Sequence, residues 1–405
     1  MTATSWVPVP DGSPFPVQNL PYGVFSSNEE APRVGVAIGE HVLDLAAAAA
    51  VAGLDGGHVF AEPSLNAFMR LGRPAWTTVR EWLTEILTHP GDEELMAPHL
   101  FPMSQVRMHR PFEVGDYVDF FSSRQHAENL GRILRPDAPA LPTAWLHLPI
   151  GYHGRAGTIV PTGTDVVRPC GQRRLATDAD PAYGPSTRLD FEAEVGFVVG
   201  VPSSLGQPVG PEEFAEHVFG VVLVNDWSAR DIQALEYVPL GPFLGKSFAT
   251  SISAWVVPLE ALEPARVSAP RQDPPPLGYL GNGSEWGLDL RLEVQLNGTV
   301  VSRPPFSTMY WTPAQQLAHL TANGASLRTG DLFASGTVSG AEHDQRGSLV
   351  ELTWNGTQPV HLADGQQRTF LDDGDTVTIS AWAPGSDGVP IGLGPVTGTI
   401  RPALS

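Results

Sequence analysis

The 405-residue chain predicts a mainly β, α+β protein, and three observations carry that prediction. Glycine and proline number 42 and 39, and after Pro111 they punctuate short apolar stretches, the pattern of an irregular β domain. Leu288, Leu290, Leu292, Val294 and Leu296 alternate with other residues up to Asn297-Gly298, the period of a half-buried strand running into a tight hairpin turn. Phe219 to Val224 is instead a continuous apolar run, as in a strand covered on both faces. The length allows two domains and a substantial core. The change of character divides the chain into a small α+β unit, residues 1–115, and a larger, mostly β unit, residues 116–405.

In chain order, Val34 to Ile38 and His41 to Leu43 flank Gly39-Glu40 as a hairpin. The alanine-rich run Leu45 to Leu54 is too short to span a bilayer. Trp76, Val79, Leu83, Ile86 and Leu87 recur at helical spacing after Pro74, and Pro90-Gly91 closes that helix. Ser122 and Gln125 have capping-box spacing, which starts a helix near Ser123. A helical stretch, Ser228 to Tyr237, follows the buried strand. Pro264 to Pro276 reads as a surface excursion. Thr312-Pro313-Ala314-Gln315 opens a helix that Gly324 stops, and Asp372-Asp373-Gly374 leads into a strand, Val377 to Ala381.

A net charge of -20 argues against nucleic-acid partners and anionic membranes, which require Lys/Arg fields. The single cysteine, Cys170, rules out an intrachain disulfide and a cysteine-based zinc site. Met1 to Trp6 has neither a basic nor an apolar leader, so a cytoplasmic protein is expected.

Lys246 is the one lysine in the chain, against 23 arginines. Arg is planar and forked, whereas Lys is a compact charge suited to a small oxyanion or to a metal-bound ligand. Gly241 and Gly245 enclose three residues, one too few for a phosphate-binding Gly-Lys-Ser loop, and no β-strand precedes them. Asp226 ends the buried strand, and Arg230, Gln233 and Tyr237 share a face of the helix that follows, a site-like grouping in which Asp226 is more than a cap. Glu192 and Glu194 share one face of a strand; on that segment alone a solvated face is the simpler reading. His126 lies in the first turn of its helix, where the dipole favours the neutral ring that a general base requires. Asp119 lies just before that helix. Carboxylates are the remaining ligand-rich chemistry, and Asp119, Glu192, Glu194 and Asp226 would suit a hard cation if the fold brings them together.

Asp116 to His126, Trp145 to Arg155, Asn225 to Ser247, Ala334 to Gly340 and Asp372 to Ile379 together resemble the fumarylacetoacetate hydrolase family along most of the chain. The resemblance implies an SH3-like N-terminal domain, a β-sandwich roll as the larger domain, and a homodimer. It implies that Asp119, Glu192, Glu194 and Asp226 bind Ca²⁺ or Mg²⁺, with a second Mg²⁺ or monovalent cation near Asp226, Lys246 and Thr250. His126 corresponds to the water-activating base and Glu351 to its orienting carboxylate. Arg135, Tyr152, Gln233, Tyr237 and Thr337 correspond to substrate contacts. Two positions depart from the family pattern: Phe121 stands in place of a tyrosine and Ala249 in place of a glycine.

The implied reaction is hydrolysis of the C–C bond of 4-fumarylacetoacetate, a diketo acid, to fumarate and acetoacetate, the end of tyrosine and phenylalanine catabolism. Splitting a β-diketone requires an activated water, a stabilised tetrahedral oxyanion and a leaving group held as an enolate. His126 with Glu351 suits the first, Arg230, Gln233 and Lys246 the second, and a cation acting as Lewis acid the third. Arg135 and Thr337 suit a terminal carboxylate. The alternatives are a related hydrolase or decarboxylase acting on another diketo or 2-oxo acid, and a non-catalytic cation-binding scaffold.

Overall fold

The computed structural model describes residues 4–27, 30–174, 180–281 and 283–404. Its spine is a long mixed sheet. In spatial order it runs Leu100–Pro102, His41–Asp44, Arg33–Ile38, Tyr22–Ser27, Trp255–Pro258, Val218–Asp226, Ala193–Val199, Leu332–Ala334, Tyr117–Phe120 and Gly151–His153. The N-terminal hairpin forms as expected, with Ile38 opposite His41. Its neighbour joins the larger unit through the pair Tyr22 and Val256, so one sheet passes through both parts of the chain.

The strand Val218–Asp226 is buried at every position, and side-chain alternation explains why. Val221 and Leu223 face one apolar core, with Phe197, Val294, Ile379 and Val396. Val222 and Val224 face a second, with Val36, Phe68, Trp76 and Leu83. A strand covered on both faces has no position for polar residues, which is why its sequence does not alternate. The first core lies between this sheet and a six-stranded one, in which Arg291–Leu296 pairs with Thr376–Pro384 and the latter with Val396–Arg401. The second core lies beneath the helix Arg73–Thr88, whose five periodic apolar residues are all buried. The result is a mixed fold of sheets and helices, with a smaller N-terminal and a larger C-terminal part.

Several expectations need adjusting. The alternating run before Asn297-Gly298 is two strands, because Trp286–Leu288 pairs with Arg266–Ser268 while Arg291–Leu296 pairs in the six-stranded sheet. The chain changes sheets at Asp289-Leu290 without losing its alternation. The segment Pro264 to Pro276 does lie at the surface, but it contains a short strand, Arg266–Ser268, that the sequence reading did not anticipate. The turn itself forms as predicted, with left-handed Asn297 and Gly298. Ser123, not Ser122, caps the helix Arg124–Leu134, accepting from the His126 N–H at 3.2 Å. Ser122 Oγ instead accepts from Gln316. The helix after Asp226 begins at Arg230, because Ser228–Ala229 pairs with Leu189–Asp190. Among the described residues no helix is long and apolar enough to cross a membrane.

Candidate active site

Asp119, Glu194 and Asp226 come from three strands of the long sheet. Asp119 sits opposite Ala334, whose strand also pairs with that of Glu194 at Gly196. Asp226 ends the strand on the other side of Glu194. Glu192 lies just before its strand, bridged to Ser348. Topology thus gathers side chains that are far apart in sequence, and each of the four offers an oxygen within 4.8 Å of the others. All four are buried, so the solvated face that the alternation of Glu192 and Glu194 suggested is not what forms.

Asp226 does not cap the helix that follows: Ala229 holds that position without a side-chain bond. Asp226 Oδ1 accepts from Thr250 at 3.0 Å and Oδ2 from Lys246 Nζ at 2.6 Å. Tyr152, opposite Asp119 in its sheet, reaches Asp226 Oδ2 at 3.4 Å. Lys246 also pairs with Glu192 Oε2. Arg230 donates through Nε to Asp190 at 2.8 Å, through its second amino group to Glu192 at 2.7 Å and through its first to Gln233 at 3.1 Å. Because Gln233 Oε1 accepts from Arg230, its NH₂ donors point elsewhere.

The loop that delivers Lys246 closes on this helix at Gly245, whose carbonyl accepts from Ala229 at 2.8 Å. A Cβ at Gly245 would lie 2.8 Å from the backbone nitrogen of Gln233, so glycine is required for the approach. Lys246 stays protonated: burial opposes its charge, but Asp226 and Glu192 hold its pKa above the usual lysine range. A protonated ammonium cannot ligate a metal, so its side chain is a counter-cation. At the expected second cation position both Asp226 oxygens already have donors, Thr250 and Lys246.

The electrostatics test whether a cation fits. Asp119 Oδ1 and both oxygens of Glu194 are buried with no hydrogen-bond partner. Burial, then the charge of Asp226, pushes Asp119 well above the usual carboxylate range; burial, then Asp119 and Asp226, does the same to Glu194. Burial would raise Glu192 as well, but Arg230, Lys246 and His126 hold it below that range. Lys246 and Arg230 are the cations facing these four carboxylates, and Arg230 also serves Asp190, so carboxylates outnumber cations and oxygens of Asp119 and Glu194 are left without donors. That surplus and that donor set suit a hard divalent ion.

His126 stands beside this cluster. Its Nδ1 lies 2.6 Å from Glu351 Oε2, and its Nε2 lies 3.8 Å from Glu192 Oε1. Glu351 also accepts from Asn129 at 2.9 Å, Ser339 at 2.9 Å and Ser348 at 2.7 Å. Burial opposes its ionised form, but His126 and these donors hold its pKa low. The ring therefore sits between two carboxylates, an environment that the helix dipole alone does not describe.

The structure places the remaining predicted residues less uniformly. Phe121 meets the His126 ring edge-on at 5.2 Å between centroids. Ala249 is buried in the larger core. Thr337 is buried with an unpartnered hydroxyl. Gln233 and Tyr237 line a cavity beside Arg230. Arg135 ends the His126 helix, nine residues on and so about 13 Å along the axis, where it reaches Ala140 O at 3.5 Å; the fold does not bring it to the carboxylates. Sequence reasoning missed Asp190, which accepts from Arg230 and from the N–H groups of Leu349 and Val350 at 2.7 and 3.1 Å. Its spacing of two from Glu192 was the available signal.

Residues 18–111 match the fumarylacetoacetase N-terminal family model, and residues 117–401 match the fumarylacetoacetate (FAA) hydrolase C-terminal model. The chain is 48% identical over 416 residues to a fumarylacetoacetase of Arabidopsis thaliana, covering 98% of each chain. It is 47% identical over 419 residues to a fumarylacetoacetase of Homo sapiens, covering 99% of each. In fold it is similar to a fumarylacetoacetate hydrolase from Exiguobacterium antarcticum, with a TM-score of 0.56 at 17% identity over 95% of this chain and 99% of that one. With both halves matched and near-complete alignments at almost half identity, the chain belongs to the fumarylacetoacetate hydrolase family.

Proposed function

We propose that the protein is a C–C bond hydrolase that splits 4-fumarylacetoacetate into fumarate and acetoacetate, the last step of tyrosine and phenylalanine catabolism. The observation that carries this reading is a buried His126–Glu351 pair facing four carboxylates, two of them with oxygens that lack donors, in a chain about half identical to fumarylacetoacetases. A non-catalytic cation scaffold would need neither His126 nor Glu351.

With Glu351 accepting, the ring proton sits on Nδ1 and Nε2 keeps the lone pair. Nε2 takes a proton from water as the water oxygen bonds to the substrate carbonyl carbon, a step worth about 10²–10⁴-fold. The new oxyanion is met by donors that remain free: one N–H of Lys246, the NH₂ of Gln233 and the unused N–H groups of Arg230. When the C–C bond breaks, the acyl half leaves as a carboxylic acid and the other half as a carbanion, which recovers the proton from Nε2. Asp119, Glu192, Glu194 and Asp226 would hold Ca²⁺ or Mg²⁺, which when bound supplies Lewis acidity toward the diketone oxygens. Tyr152, Tyr237, Thr337 and Arg135 complete the proposed substrate contacts.

The two domains, 1–115 and 116–405, belong to this reading and are supported by the break between the family models at 111 and 117. A cytoplasmic homodimer is inferred with them, to be checked by mass in solution. The test of function is loss of fumarylacetoacetate absorbance with purified protein, with and without chelator. Cleavage is expected, with inhibition by chelation; cleavage only of a smaller acylpyruvate would replace the substrate.

A further inference from the structure

A cavity of about 500 Å³ opens beside Arg230, between the His126 helix and the helix Arg230–Glu236. Leu130, Ile133 and Leu134 line it. They lie four, seven and eight residues beyond His126, hence on the same helical face. The lining residues cover about 6 Å of that face, from Leu130 to Leu134, and the cavity's volume leaves room for the arm of a linear acid that projects beyond the reacting carbonyl. Gln233 and Tyr237 form the facing wall.

Arg174 and Arg188 supply the cationic part of the remaining wall; Arg174 is exposed, whereas Arg188 is half-buried and anchored to the fold. The Arg188 carbonyl accepts from the Arg230 N–H at 2.9 Å, which fixes its backbone to the start of the helix. Its guanidinium donates to Asn355 Oδ1 at 3.0 Å and lies 5.4 Å from the centre of the Phe370 ring. Among the described residues no carboxylate pairs with it, in a chain of net charge -20. Asp231 also borders the cavity, but its oxygens are taken by Ser186 Oγ, by the N–H and hydroxyl of Thr187 and by the Ile232 N–H. Asn355 is held by its N–H, which donates to Val350 O at 2.8 Å, and Trp354 and Asn355 have φ of 45° and 58°, a left-handed pair of non-glycine residues. Such conformations persist where the surroundings enforce them, often at ligand sites.

We propose that Arg188 is a specificity residue that binds one terminal carboxylate of a linear dicarboxylic substrate, with Asn355 aiming it. A guanidinium with unused N–H groups on a cavity wall is suited to a carboxylate, which it engages through two parallel hydrogen bonds. This rests on the proposed function for the identity of the diacid, but not for the binding of its parts.

The test is calorimetric titration of fumarate and acetoacetate, separately, into wild type, Arg188→Leu and Arg188→Lys, with thermal melts to confirm folding. The expected result is that one of the two acids loses about 10- to 100-fold in affinity on Arg188→Leu while the other changes less than twofold. Arg188→Lys should recover part of the loss, and Asn355→Ala, which keeps the charge but frees it, should lose less than Arg188→Leu. Equal weakening of both acids, or of neither, overturns the inference. These titrations need no turnover. If one acid depends on Arg188 while wild type fails to cleave fumarylacetoacetate, the subsite stands and the proposed substrate falls.

Discussion

Glu194→Gln separates the two consequences of a carboxylate that has no donors. In protein treated with chelator, the Glu194 charge lies within 4.8 Å of other carboxylate oxygens, a repulsion of roughly 3 kcal/mol per neighbour at an effective dielectric of 20. Proton uptake caps the cost at about 4 kcal/mol at pH 7, the work of protonating a group whose unfolded pKa is near 4.3. Glutamine keeps the shape, removes the charge and brings an NH₂ that can donate to Asp119. A gain of about 1–3 kcal/mol is therefore expected, on the order of 1–4 °C in melting temperature for a chain of this length. Because burial raises Asp119 and Glu194 in the folded state, that state binds more protons than the unfolded one. Wild-type stability in chelator should thus fall as pH rises from about 4 toward the folded pKa values, and the fall should be shallower in the variant. Saturating Ca²⁺ should reverse the ranking, since wild type gains about 2.7 kcal/mol at 100 times Kd while the variant has lost a ligand. Differential scanning fluorimetry across pH, with and without Ca²⁺, reads all three effects. A Glu194→Gln protein that melts below wild type in chelator at pH 7 would show that the carboxylate is favourably bound and refute the reasoning.

His126→Ala should lower kcat by 10²-fold or more while leaving the Ca²⁺-induced melting shift within a degree or two of wild type; normal turnover would remove His126 from the proton-transfer role. Lys246→Arg should fold and still respond to Ca²⁺ but lose most activity, because a forked cation cannot place a single nitrogen between Glu192 and Asp226 as the compact ammonium does. Kinetics and melting of the same preparation check both, and retained activity in the arginine variant would leave the single lysine without a chemical reason.

Local signals in the sequence were reliable where one element decided the outcome. The N-terminal hairpin, the helix Arg73–Thr88 and the Thr312 capping box all form as their spacing indicates. What spacing could not supply was convergence. Asp119 and Asp226 are more than one hundred residues apart, and only the order of strands in the sheet makes them neighbours. Burial was equally out of reach: the segment Leu189 to Val195 reads as alternating and half-solvated, yet all its residues are buried, because Arg230 and Lys246 arrive from elsewhere to balance its charge. The resemblance to a family supplied the missing long-range information, whereas the donors around Glu351, Asn129, Ser339 and Ser348, carry no local signature at all.

Asp190 shows how the two halves of the site are kept in register. One carboxylate fixes Arg230, which positions Glu192 and Gln233, and also fixes the first N–H groups of the short helix Leu349–Leu352, which carries Glu351. The oxyanion side and the base side of the site thus hang on the same residue, although Asp190 touches neither His126 nor the space a substrate would fill. Asp190→Asn keeps the volume but replaces one acceptor oxygen with an NH₂ that must face either Arg230 or a backbone N–H. Breaking a buried charge pair in this way costs about 3–5 kcal/mol, enough to lower the melting temperature by several degrees. The informative readout is a coupling. If Asp190 holds both sides, Asp190→Asn combined with Glu351→Gln should cost less in kcat/KM than the two single losses added, because the first already displaces Glu351. Strict additivity, in variants whose Ca²⁺ response is retained, would show that Asp190 supports the fold without tying the base to the oxyanion donors.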